Sequence, residues 1–438
     1  MLSLACHRWP GLGSYLRLHL IVAGATLALA GCAGQVSGPG LNPGMPQALV
    51  PLPGQPIPGA YGKTTGNILL LLPLSGPLAP VGQVLANAAK LAVPAGSSPG
   101  LDIRDTGGNA AGAAAAAEAG LQAGDGIIIG PLTSPETQGV IPIAKAAGVN
   151  MLPFTNDATL AQPGVWPLGI TAAQSVQRVV QDAADAGRTR LAALLPDNDY
   201  GHQLGDAIAA QAQALSLPSA QVTYYEPGFN SVNQAVEQLS DFANRGQGLM
   251  DEIKAARALN TAAGRAKARE LRLQQIPPPS FDALFIGETG ETTLAEIANF
   301  LPYYDVLTPQ VQLLGPTPWA NIAADMAHQS MFVGALYAAP DPAAAQSFDA
   351  SYLAAYGSAP PAIADVAFDA AALARVAASG GGYTSAVLTA PAGFTGADGL
   401  VVLRPDGTAR RGLAVFSIAQ GAPVITSPAP AALNQPPE

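Results

Sequence analysis

The feature that most narrows the possible folds is the stretch at residues 67–72, an Asn followed by an Ile and four Leu. A strand with water on one side alternates apolar and polar side chains, whereas one covered on both faces stays apolar throughout. The run ends at Pro73-Leu74-Ser75-Gly76, and a helical pattern follows over 81–92. The unit then repeats as strand 101–104, an Ala-rich helix 110–122, strand 126–129, helix 135–147 and strand 149–152. A second series runs through helix 173–186, strand 191–195, helix 200–214, strand 222–225 and helix 232–243. It resumes after an interruption with strand 281–287, helix 292–300, and strands 310–314 and 331–338. Such alternation builds parallel sheets with helical crossovers. The expected fold class is therefore α/β, with two Rossmann-like lobes whose parallel sheets flank a hinged cleft. Ligands on open α/β sheets sit beyond the carboxyl ends of the strands, so the loops there carry the functional expectations.

Three other segments complete the layout. Residues 247–275 break the rhythm with a helical insertion holding six Lys and Arg, closed by Pro277-Pro278-Pro279. Its basic residues form either a solvated face or a partner-docking surface. Helices 342–356 and 363–379 then precede strands 400–404 and 414–418, with Pro405-Asp406-Gly407 as a hairpin signal. The expected division is lobe 1 from 67 to 173 plus about 341–400, and lobe 2 from 174 to 340 plus about 400–420. A Pro/Ala-rich tail, 421–438, is expected to be disordered.

At the N-terminus, Arg8 and Arg17 precede an apolar run over 18–30, broken only by His19. That is too short for a bilayer span and typical of a signal-peptide core. It ends in Leu29-Ala30-Gly31-Cys32, which resembles the lipobox of bacterial lipoproteins at all four positions. The resemblance implies a signal peptide over 1–31 and a lipid on Cys32 that tethers the chain to a membrane. Ala33 stands where an Asp commonly signals inner-membrane retention, so outer-membrane sorting in the periplasm is implied for a Gram-negative host. Cys6 lies in the removed segment, leaving Cys32 as the one mature Cys and no internal disulfide. Residues 33–66 contain seven Pro, eight Gly and a single charge, Lys63. The expectation is an extended linker over 32–66, which at roughly 3.1 Å per residue would reach on the order of 100 Å.

Composition excludes other classes. Only 11% of residues are charged, and the formal net charge is −10. No large basic face is available for phosphate backbones, so nucleic acid is not an expected partner. Gly96-Ser97-Ser98-Pro99-Gly100 matches G-x-S-x-G, yet Pro99 lacks the N–H an oxyanion hole needs and a strand follows instead of a helix. His202 and His328 are the two His beyond the N-terminal segment and stand far apart in sequence. No metal-ligand spacing, nucleotide loop or catalytic constellation assembles. The expectation is a protein that is not an enzyme and has no metal or cofactor.

Binding remains. Gly130-Pro131-Leu132-Thr133-Ser134-Pro135-Glu136-Thr137 joins a strand end, hydroxyls and a helix start. Free N–H groups and the positive dipole end suit a carboxylate there, though Ser134 before Pro135 is equally a helix N-cap. Pro153-Phe154-Thr155-Asn156-Asp157 follows the next strand with similar chemistry. In Asp197-Asn198-Asp199-Tyr200-Gly201 the carboxylates suit helix caps, while Tyr200 can reach the cleft.

At these residues the chain resembles the type I periplasmic binding proteins, in particular the leucine-binding-like group, over about 67–418. The landmarks are Leu-Pro-Leu-Ser-Gly at 72–76, Gly-Pro-x-x-Ser at 130–134, Ala-Gly-Val at 147–149 and Asp-Tyr-Gly at 199–201. The resemblance implies that Ser134 and the loop Phe154, Thr155 and Asn156 hold an amino-acid-like ligand, that Tyr200 closes over it, and that Glu288 and Trp319 lie near later contacts. Ser75 and Thr133 complete the candidates, from the loops of the first and second landmarks. Phe154 departs from the family's usual small residue, and Pro135 and Glu136 replace small hydroxyl residues. The chain is also similar to a lipoprotein branch of penicillin-binding protein activators, through Asp105-Thr-Gly-Gly108, Leu313-Leu-Gly-Pro-Thr-Pro-Trp319 and Ala338-Ala-Pro-Asp341. That branch carries a helical insertion like 247–275. Two functions follow from the resemblance: an activator whose partner is a penicillin-binding protein in peptidoglycan synthesis, or the receptor of an ABC permease importing amino acids.

Overall fold

The computed structural model describes residues 62–433. The expected signal peptide, Cys32, the first part of the linker and the last five residues lie outside them.

The first sheet is built from β1 (Ile68–Leu72), β2 (Leu101–Asp105), β3 (Ile127–Ile129) and β4 (Asn150–Leu152). Helices α1 (Ala79–Ala92), α2 (Ala110–Ala123) and α3 (Ser134–Ala147) connect them. The strands are all parallel, in the order β2-β1-β3-β4, with Ile68 opposite both Leu101 and Ile127. Both faces of β1 are covered. Ile68, Leu70 and Leu72 join one core cluster with Leu85 and Ala89 of α1, while Leu69 and Leu71 join another with Ala113, Ala117 and Val140. This double covering is why the strand shows no alternation.

The second half begins with α4 (Ala172–Asp185), β5 (Leu191–Pro196), α5 (Asp199–Ala214), β6 (Gln221–Tyr225) and α6 (Phe229–Ser240). The short α7 (Phe242–Arg245) leads into the insertion, α8 (Gln247–Ala258) and α9 (Ala262–Leu271). These two helices share a small core of their own, Ile253, Ala256, Ala268 and Leu271. Then follow β7 (Ala283–Ile286), α10 (Glu291–Tyr303), β8 (Gln312–Gly315), α11 (Ala323–Met326) and β9 (Leu336–Ala339).

The chain then returns to the first sheet through α12 (Pro342–Tyr356) and α13 (Ala364–Ser379), followed by α14 (Ser385–Leu388). Small side chains let α13 pack closely on α1: Ala367, Ala370, Ala371 and Ala374 share a core with Ala86, Ala88, Ala89 and Ala92. Next come β10 (Phe394–Gly396), β11 (Gly399–Leu403) and β12 (Ala409–Arg411), then β13 (Ala414–Ile418) and β14 (Pro423–Ser427). The second sheet runs β14-β13-β9-β8-β7-β5-β6, parallel from β9 to β6 and antiparallel at its β13–β14 end. Mixed α/β architecture with parallel-rich sheets is thus as expected.

Four expectations need correction. The hairpin joins β11 to β12, with Val401 opposite Arg411, not 400–404 to 414–418. Val401 and Leu403 belong to the core beside the first sheet, so the chain crosses to the second sheet at 412–413 and not near 400. The tail is ordered at its start. β14 pairs with β13 at the sheet edge, and Arg178 of α4 donates to Ser427 Oγ at 2.6 Å and to the Leu413 carbonyl at 2.9 Å. The linker's end is ordered too: Gly62 N donates to the Gly148 carbonyl at 3.0 Å and Tyr383 N to the Lys63 carbonyl at 2.8 Å. Backbone groups that a Pro/Gly-rich composition leaves unpaired find partners here on the folded body.

Candidate functional site: a cavity between the two sheets

A cavity of about 870 Å³ opens where the carboxyl ends of the two sheets face each other. Its walls come from the starts of α3, α5, α12 and α13, the crossing segment after β4, and the turn after β8. That crossing segment folds back on itself, with Leu168 N donating to the Pro153 carbonyl at 2.8 Å and Gly169 N to the Thr155 carbonyl at 3.1 Å. A Cβ on Gly169 would stand 2.7 Å from Asn156 N, so only glycine permits the approach.

Six sequence candidates line the cavity: Thr133, Ser134, Phe154, Thr155, Asn156 and Tyr200. Their hydrogen bonds narrow what they can do. Ser134 Oγ and Thr155 Oγ1 lie 2.8 Å apart and bond to each other. Thr133 is the N-cap of α3, in a capping box with Glu136. Glu136 is fully buried, and its carboxylate accepts from Thr133 N at 3.0 Å, from Thr133 Oγ1 at 2.6 Å and from Thr106 Oγ1. Pro135 contributes no N–H. Two donors at the helix start that suits a ligand carboxylate, Thr133 N and Thr133 Oγ1, thus already serve a carboxylate of the chain itself. Phe154 is largely withdrawn into the core beside α13, with Trp166 and Leu168 in the same cluster. Tyr200 follows the cap Asn198, which accepts from Gly201 N at 2.8 Å; burial pushes the Tyr200 phenol up to about 12. Neither expected carboxylate is that cap: Asp199 is the first residue of α5, and Asp197 meets His202 Nε2 at 2.8 Å.

Ser75, Glu288 and Trp319 are not brought to the cavity wall. Ser75 is exposed beyond β1, where its hydroxyl bonds Asp105 and, with backbone donors from Gly107, Leu74 and Ser75, holds that carboxyl below its usual range against mild desolvation. Glu288 accepts from Tyr225 Oη at 2.7 Å and from Thr289 N and Gly290 N at 2.8 and 2.7 Å, ahead of α10. Trp319 is fully buried against Phe332, and its Nε1 donates to the Glu288 carbonyl at 2.8 Å. The last two brace the loops behind the cavity.

The wall also carries four carboxylates, of which only Asp341 stood in a sequence landmark: Asp341, Asp349, Asp365 and Asp398. No Lys, Arg or His lines it among the described residues. Asp341 caps α12, accepting from Ala343 N at 2.9 Å. Asp398 pairs with the buried Arg411 at 3.3 Å, and Arg411 also donates to the Leu168 carbonyl. Behind them Asp369 accepts from Ala397 N at 2.6 Å and Asp398 N at 3.0 Å. Asp365 has no hydrogen bond or ion pair among the described residues. Burial, and then the neighbouring Asp398, Asp369 and Asp349, push its carboxyl up to about 8, with Arg411 opposing. The sequence did hold a signal for part of this group. Asp365 and Asp369 stand four apart in the largely apolar first half of a helix, where a charge requires a purpose.

The family model for periplasmic binding proteins matches residues 66–422. The chain belongs to the periplasmic binding protein family. Within it, leucine-binding-like character agrees with the resemblance drawn from the landmarks. No curated protein matches the sequence. Among solved structures, this periplasmic binding protein is similar to the C-domain of LpoA (YraM) from Haemophilus influenzae, described as a regulator of PBP1A. The TM-score is 0.60 at 17% identity, over 82% of this chain and 99% of that one. Against full-length LpoA from the same organism it spans 60% of the length, with a TM-score of 0.59 and 18% identity over 84% of this chain. It is equally similar to a putative branched-chain amino acid ABC transporter protein from Rhodospirillum rubrum, with a TM-score of 0.60 and 17% identity over 82% of this chain and 99% of that one. At such identities the likeness is one of fold.

Proposed function

We propose that this chain is a non-catalytic regulator of a penicillin-binding protein, carried in the periplasm on a lipid at Cys32 and an extended linker from the outer membrane. The observation that carries the reading is the seat at the start of α3. Glu136 takes up the donors there, and Pro135 removes another, so an amino-acid ligand finds no ready place for its α-carboxylate. A binding-protein fold that gives up that seat has moved away from amino-acid import. The similarity to the LpoA C-domain supports the same direction. The test adds the purified full chain to a penicillin-binding protein of the PBP1A kind from the same organism and measures glycan polymerisation. A rate increase that saturates with the chain is expected; no binding and no change in rate overturns the proposal.

A second reading is an importer's receptor, favoured by the size of the cavity and the likeness to the Rhodospirillum rubrum protein. Tight calorimetric binding of leucine, isoleucine or valine, abolished by Ser134→Ala and Tyr200→Ala, would replace the first reading with this one.

A further inference from the structure

We infer that the cavity between the sheets takes an organic cation bearing a primary ammonium group, with Asp365 and Asp349 as its counter-charges. The inference rests on the chain being a binding module, not on which partner it serves.

The argument is one of elimination within a space of about 870 Å³. Of the four carboxylates on its wall, two have structural work: Asp341 caps α12, and Asp398 is paired to Arg411. Asp369, behind the wall, spends its oxygens on two backbone amides. The backbone is shaped around that carboxylate, since a Cβ on Gly396 would stand 2.2 Å from Asp369 Oδ1. Asp365 and Asp349 are left over, one on α13 and one on α12, and neither is given a hydrogen bond or cation by the protein among the described residues. A partly buried carboxylate with no partner costs free energy unless something neutralises it. Its neighbours make matters worse: Asp398, Asp369 and Asp349 all act on Asp365 unfavourably, and the only cation near it, Arg411, is engaged elsewhere. The lining also includes Thr317, whose hydroxyl oxygen has no hydrogen-bond partner among the described residues. An ammonium carries three donors and can serve a carboxylate and a hydroxyl together. An anion finds no matching charge on the wall, and the Thr133 donors at the helix start beside it already serve Glu136.

The experiment is calorimetric titration of the full chain with 1,5-diaminopentane, glutarate and L-leucine at pH 7.5. The diamine is expected to bind at least tenfold more tightly than either comparison compound. Asp365→Asn and, separately, the exposed Asp349→Asn should each weaken it by about tenfold, and Asp325→Asn, on the exposed side of α11, should leave it unchanged. Ammonium binding must ionise Asp365, so the titration should also release a proton, seen as heats that differ between buffers of different ionisation enthalpy. Glutarate or leucine binding as well as the diamine, diamine binding indifferent to both substitutions, or no diamine binding at 10 mM overturns the inference. The diamine and glutarate outcomes leave the polymerisation assay untouched, so the regulator reading stands or falls separately on that assay; only tight leucine binding bears on both.

Discussion

Glu136 shows how one side chain decides what a familiar local pattern can do. A strand end followed by Thr-Ser-Pro at a helix start is suited to anions, yet the residue three places beyond the cap folds back and occupies the donors. Replacing it with Ala removes the carboxylate half of the capping box, though the backbone N–H at 136 can still donate to Thr133 Oγ1, and leaves the buried Thr106 hydroxyl without its partner. Glu136→Ala is therefore expected to destabilise the chain by about 2–4 kcal/mol, from the loss of a cap and a buried hydrogen bond together. Urea unfolding followed by circular dichroism measures this. If stability is unchanged, Glu136 is not holding the loop. The pattern around Thr133 was legible in the sequence; its occupation was not, because Thr106 arrives from the neighbouring β2–α2 loop.

Two elements illustrate different degrees of attachment. α8 and α9 enclose their own four-residue core, and the chain enters and leaves beside Arg245, which donates to the carbonyls of Pro277 and Tyr304. Replacing 247–275 with a short Gly/Ser connector should shift the thermal midpoint of the remaining body by no more than roughly 4 °C. The same variant decides between the two readings of the insertion, since a docking surface would lose its effect on the partner enzyme while a solvated pair would not. β14 is held more firmly than its composition suggests. Its exposed Val424 and Ile425 contribute little burial, and Arg178 ties the strand to α4 instead. Arg178→Ala should raise the hydrogen-exchange rates of the amides in β14 and in β13 beside it, with far smaller changes in β5. Equal protection in the variant would show that strand pairing alone holds the edge.

For the molecule as a whole, the charge buried between the halves sets the response to pH. Asp365, Asp369 and Asp398 all titrate above the ordinary carboxylate range, chiefly because burial disfavours their ionised forms. Unfolded, such groups lose their protons near pH 4. Between that value and the folded value of about 8 for Asp365, the folded state binds more protons than the unfolded one. Stability from this group must accordingly fall as pH rises through that window and level off above it. Thermal midpoints recorded from pH 5 to pH 9 should show that decline, and Asp365→Asn should flatten it. A midpoint that rises over the same range, or a variant with an unchanged slope, would refute the assignment.

The sequence by itself determined the architecture, because five apolar residues in a row at β1 can be satisfied only by a strand covered on both sides, and that requirement recurs with each strand–helix unit. It also marked the cleft loops, since polar residues at strand ends have nowhere else to go. The tertiary structure alone decided which of those residues remain available. Ser75, Glu288 and Trp319 were drawn into other contacts, and the wall acquired Asp349 and Asp365 from helices that begin more than 140 residues further along the chain than Tyr200. Hydrogen-bond saturation and shared burial depend on contacts between distant segments, and local spacing carries no record of them.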